Sequence, residues 1–126
     1  MSNYVVWVDS EKAHVFALTT SGVVKSHLEK RGADHHTHNK KDHHGDSNLE
    51  HFFRDLAVLI KEAEGVLILG PGRAKTDFKT HLETHHAAGL AAKVVGVEAS
   101  DHPTDNQILA TARTFFKGYD LFNKPI

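Results

Sequence analysis

The run Gly65-Val66-Leu67-Ile68-Leu69-Gly70 constrains the fold most, because it is apolar at every position between its bounding glycines. A strand with one solvated face alternates apolar and polar residues, so a run without alternation belongs to a strand covered on both faces. Such a strand needs helices above and below it. The chain supplies them in both directions, and with 126 residues it has room for one core and not for two. A single domain over residues 1–126 is therefore predicted.

Before the central run the pattern is antiparallel. Residues 4–8 (Tyr-Val-Val-Trp-Val) are β-branched and aromatic, stop at the polar turn Asp9-Ser10-Glu11-Lys12, and resume in residues 13–18. Thr19-Thr20-Ser21-Gly22 makes a second turn into residues 23–30, which alternate as a strand exposed on one side would. Ser47-Asn48-Leu49-Glu50 has capping-box spacing, and Leu49, Phe52, Phe53, Leu56, Leu59, Ile60 and Ala63 follow at helical intervals. After the central strand, Pro71-Gly72 turns the chain into a helix from Arg73 with Ala74, Phe78 and Leu82 inward and Gly89 as its stop. Residues 91–98 read as the last strand. A final helix after Thr104 turns Ile108, Leu109, Ala112, Phe115 and Phe116 inward.

The order β-β-β-α-β-α-β-α predicts an α/β fold in which three antiparallel strands feed two parallel ones through right-handed crossovers. A mixed five-stranded sheet of order 3-2-1-4-5 flanked by three helices, the ribonuclease H-like layout, satisfies it.

Composition excludes several classes. There is no cysteine, so disulfides, thiolate metal sites and cysteine nucleophiles are all ruled out. A net charge of −1 provides no global attraction to polyanions, although twelve histidines would turn the surface positive on mild acidification. No stretch approaches a membrane span and the N-terminus lacks a targeting pattern, which predicts an unprocessed cytoplasmic protein that does not enter a membrane.

The segment at residues 32–46 joins the two halves and is too polar to hold a core. It carries His35, His36, His38, His43 and His44 among Asp34, Asp42 and Asp46, a ligand set suited to Zn²⁺ or another transition metal. It also carries Lys40 and Lys41, which with the histidines could meet a nucleic-acid backbone. Arg73 and Lys75 open a helix, where free N–H groups favour anions. The same turn is equally what glycine and proline make anywhere, and Gly-x-x-x-x-Gly-Lys-Ser/Thr is absent. Asp9, Glu98 and Asp101 fall at strand ends, where ribonuclease H-like nucleases hold metal ions; Asp9 is also the residue a tight turn wants. His81, His85 and His86 lie along the second helix, with favourable helix-end placement. His14 and His27 occupy cross-strand positions.

Taken in order, Val8-Asp9-Ser10-Glu11-Lys12-Ala13-His14-Val15-Phe16, Phe52-Phe53-Arg54-Asp55-Leu56, Leu67-Ile68-Leu69-Gly70-Pro71-Gly72 with Lys75, Phe78 and Leu82, and Val94-Val95-Gly96-Val97 resemble the central domain of archaeal and eukaryotic release factors and Pelota, and especially its small stand-alone bacterial relatives. The resemblance covers nearly the whole chain and implies the same ribonuclease H-like fold. In release factors the loop before the first helix carries Gly-Gly-Gln, which enters the peptidyl-transferase centre. Here the His-rich segment stands in that place with Gly32 and Gly45 as its only glycines, so peptidyl-tRNA hydrolysis is not carried over. The codon-reading and partner-binding domains of the full-length factors are likewise not expected.

The resulting expectation is a non-catalytic protein that binds the ribosome or structured RNA through Lys40, Lys41, Arg73 and Lys75 and requires no cofactor. The alternative is a metal-binding protein or metal-dependent hydrolase using the loop histidines. The exposed edge strand at residues 23–30 could also pair with a second copy.

Overall fold

The computed structural model describes residues 2–30, 47–85 and 89–123. Its elements are β1 (Ser2–Val8), β2 (Lys12–Thr19), β3 (Gly22–Glu29), α1 (Ser47–Leu59), β4 (Ala63–Gly70), α2 (Ala74–His85), β5 (Val94–Ala99) and α3 (Asp105–Asn123). They form one sheet of order β3-β2-β1-β4-β5. β1 pairs antiparallel with β2 and parallel with β4, and β4 pairs parallel with β5. This is the layout that the order of apolar runs predicts.

The non-alternating run is central and buried on both faces. Val66 and Ile68 pack under α1 and α2 against Phe52, Phe53, Leu56, Ile60, Phe78 and Leu82. Leu67 and Leu69 face the other way, where Ile108, Ala112 and Phe116 of α3 cover them together with Val5, Trp7 and Phe16. Burying each of the large aliphatic and phenyl side chains among these stabilises the fold by about 1.5–3 kcal/mol, and that burial sets the layer order.

Two boundaries differ from the periodicity. α1 ends at Leu59, where the chain tightens: Ile60 N–H donates to Ala57 O, Lys61 N–H to Val58 O and Ala63 N–H to Ile60 O at 3.0–3.3 Å. Ala63 is buried as predicted, but as the first residue of β4; an i→i+3 turn keeps it on the core side after the helix has stopped. Similarly, Ala91–Lys93 form a 3₁₀ turn and β5 begins at Val94. Gly89, with φ +84°, turns the chain so that Leu90 is buried, and Ala92 N–H and Lys93 N–H then bond back to Gly89 O and Leu90 O. Two alanines with weak strand preference do not resist that turn.

The last helix is capped reciprocally. Gln107 N–H donates to Thr104 Oγ1 at 3.1 Å and Thr104 N–H to Gln107 Oε1 at 2.9 Å. The Thr-x-x-Gln spacing is the signal for this cap. The corresponding box at α1 depends on the Ser47 side chain, which lies outside the described residues. No described helix is long and apolar enough to cross a membrane.

Candidate functional site

A cleft of about 310 Å³ opens at the carboxyl ends of β1 and β4, lined by Asp9, Ser10, Leu49, Phe53, Pro71 and Gly72, with Arg73, Ala74 and Asp77 of the α2 start. It lies where an open α/β sheet gathers ligands, since the chain leaves β1 and β4 toward different neighbours there. The described chain stops at Lys30, whose N–H donates to Glu11 O at 2.7 Å, and resumes at Ser47, two residues before cleft-lining Leu49. Both flanks of the 31–46 segment thus sit at this end of the sheet.

The cleft rim is built by turns. Asp9 Oδ1 accepts from Glu11 N–H and Lys12 N–H, both at 2.8 Å, and Asp9 N–H donates to Lys12 O at 3.0 Å. Asp9 is therefore spent on the β1–β2 turn. Arg73 caps α2 by accepting Asp77 N–H at 2.8 Å on its carbonyl, while its guanidinium stands 87% exposed, 3.4 Å from the Asp77 carboxylate. Lys75 turns back to donate from Nζ to Gly72 O, which pins the glycine turn and keeps a cation at the helix start.

The carboxylates considered for a nuclease are not assembled. Glu98 lies against Ala110, Thr111, Thr114 and Phe115 on the α3 face, away from the Asp9 cleft. Among the described residues no group of three or more His, Asp or Glu side chains is gathered to hold a metal ion. His35, His36, His38, His43, His44, Lys40 and Lys41 lie outside the described residues, as does His86. His81 and His85 lie 4.6 Å apart between ring centroids, tilted by 39°, and line a second cleft of about 350 Å³ with Glu50 and Arg54.

A row of rings crosses the sheet on the α3 face. His102 lies 5.2 Å from Trp7, Trp7 lies 5.8 Å from His14, and His14 lies 4.9 Å from His27. Trp7 anchors the row by donating its indole N–H to Asp101 O at 3.0 Å and Ser100 O at 3.3 Å. His14 and His27 are directly opposite in the β2–β3 register, with Nδ1 atoms 3.3 Å apart, and His27 Nε2 lies 3.1 Å from Glu29 Oε2. Their partnership is written in the turn: each stands five residues from the paired ends Thr19 and Gly22.

Burial, reinforced by the neighbouring His27 and Lys25 charges, pushes His14 below its ordinary pKa. The unfolded chain then binds more protons than the native one once pH drops below the unfolded value of about 6.5, so stability falls on acidification through that value. In chelator-treated protein, an NMR titration should give His14 a midpoint below 6.5, and His14→Gln should lose less stability than wild type between neutral and mildly acidic pH. A midpoint above 6.5 would contradict the assignment.

The assembled object is a ribonuclease H-like α/β domain with an open cleft at the carboxyl ends of β1 and β4. No protein-family model matches the chain, and no curated protein matches it. Among solved structures it is similar to Archaeoglobus fulgidus Pelota (17% identity, TM-score 0.61), covering 90% of this chain and 31% of that one. It is also similar to an archaeal translation termination factor, aRF1 (16%, TM-score 0.55; 95% and 40%). S. cerevisiae Dom34, a translation termination-like factor in RNA quality control that interacts with Hbs1, gives 14% and 0.55 over 88% of this chain and 32% of its own. The chain thus spans well under half the length of these proteins and shares the fold of one part of each.

Proposed function

We propose that this chain is a translation-associated ribosome- or RNA-binding module of the release-factor central-domain type that does not hydrolyse peptidyl-tRNA. The observation that supports it is the fold likeness, extending over 88–95% of the chain, to Pelota, to an archaeal translation termination factor and to a translation termination-like factor. Residues 32–46 stand where the release-factor tripeptide would be, and Gly-Gly-Gln is absent from them. The module accordingly binds without supplying a hydrolytic group, in the cytoplasm where ribosomes are.

Binding rests on a small set of cations. Lys40 and Lys41 of the joining segment and Arg73 of the α2 start are the charges available for phosphate, and Lys75 holds the Gly72 turn that presents Arg73. Phosphate contacts of this kind position a protein on RNA without reading bases, and each is lost with rising salt. Replacing Lys40, Lys41 and Arg73 together with alanine should weaken ribosome or structured-RNA binding at least about tenfold at low salt and flatten its salt dependence by roughly two to three in log–log slope. Fluorescence anisotropy across a salt series checks it. Unchanged affinity and slope would remove these residues from the contact. Chelator should leave the binding unaltered, whereas loss of binding with metal removal would favour the loop histidines as a metal centre.

A further inference from the structure

We propose that His14 and His27 form a two-histidine site for a divalent transition-metal ion, independent of the His-rich segment and of the translation reading. The backbone builds it. Both residues sit in paired strands at directly opposed register positions, so their Cβ separation is set by the sheet and needs no loop to close.

The nitrogen geometry suits a shared ion. The Nδ1 atoms are 3.3 Å apart, and an ion about 2.0–2.1 Å from each would subtend an angle of about 107°, close to tetrahedral. Without metal the same distance is spanned by one N–H···N bond. Glu29 defines which ring carries that proton: its carboxylate accepts the His27 Nε2 proton at 3.1 Å, leaving His27 Nδ1 as a lone pair, so His14 Nδ1 is the donor. Metal entry then requires only that the His14 proton move from Nδ1 to Nε2, with no net proton released. The Glu29 contact is also the carboxylate support that metal-bound imidazoles ordinarily have.

Access and charge agree with this. The His27 side chain is 43% exposed, so water or an outside donor can fill the remaining positions of the ion. Lys25 of β3, whose charge reaches His14, is paired with Asp105 of α3 at 2.6 Å, and Lys12 of β2 lies toward Asp9 and the Trp7 ring. Two neutral imidazoles select Zn²⁺, Ni²⁺ or Cu²⁺ over Mg²⁺ or Ca²⁺.

The test uses the full chain without an affinity tag and with His35, His36, His38, His43 and His44 changed to alanine. Zinc chloride titration by calorimetry should show one equivalent bound at micromolar metal, with the ring-proton NMR signals of His14 and His27 shifting together. Adding His27→Ala, at an exposed position that leaves the melting temperature nearly unchanged, should abolish that binding, and Glu29→Gln should weaken it about tenfold. No zinc uptake by the five-alanine chain, or uptake that survives both His27→Ala and His14→Gln, overturns the proposal. Ribosome binding plays no part in either outcome.

Discussion

Gly70→Ala should destabilise the protein by about 3 kcal/mol or more, a large fraction of the roughly 5–15 kcal/mol that holds a domain folded. Gly70 ends β4 at φ +156°, and a Cβ there would lie 2.1 Å from Val8 O. That oxygen belongs to the backbone of the neighbouring central strand and cannot rotate away. Moving Gly70 instead would pull on β5, because its carbonyl accepts Ser100 N–H at 3.0 Å. Gly72 is the control two residues on. It too has positive φ, +61°, but nothing lies within 4 Å of its added Cβ, so Gly72→Ala should cost only about 1 kcal/mol. Urea denaturation of both variants measures the contrast. Equal costs would mean that β1 and β4 are not packed as closely at the cleft as described.

Trp7→Ala should cost about 3–5 kcal/mol, since it empties a nearly fully buried site on the central strand between Val5, Phe16 and Leu69. Trp7→Phe separates packing from hydrogen bonding. It keeps most of the ring volume but leaves the carbonyls of Ser100 and Asp101 without the indole donor, at about 1 kcal/mol. Far-UV circular dichroism is the appropriate readout, because Trp7 is the chain's single tryptophan and tryptophan fluorescence disappears with it. If Trp7→Ala were as mild as Trp7→Phe, the α3 layer would not depend on this ring.

The fold was legible because its strongest determinants are local. The unbroken apolar run of β4 announced two covered faces, and the short runs of β1 and β2 with the alternation in β3 announced a meander. What misled at the boundaries was also local: Ala63 continues the helical spacing of α1, and Ala91 and Ala92 extend an apolar stretch. In each case a tight turn buried the residue by a different route. Asp9 carried two readings from its position alone, and the two amide hydrogen bonds it accepts decide for the turn.

The site was less legible, for a physical reason. The cleft brings together residues 9–10, 49–53 and 71–77, three segments that share no spacing pattern and meet only when the sheet forms. Arg73 stands exposed just after Pro-Gly at the α2 start, while Lys75, grouped with it by type, donates back to Gly72 O, a contact that no spacing announces. His14 and His27 were recognisable as cross-strand residues, but their facing nitrogens follow from a register that the Thr19–Gly22 turn sets.

The phosphate-contact reading needs Lys40, Lys41 and Arg73 and no metal. The two-histidine site needs Glu29, His14 and His27 and no ribosome.

Sedimentation of the untagged chain with purified ribosomes through a sucrose cushion, in chelator and across a salt series, decides whether it is a ribosome-binding module. The chain should pellet with ribosomes at low salt, be released progressively as salt rises, and leave ribosome-bound peptidyl-tRNA intact. A chain that stays in the supernatant at every salt concentration, or that frees the nascent peptide, would contradict that reading.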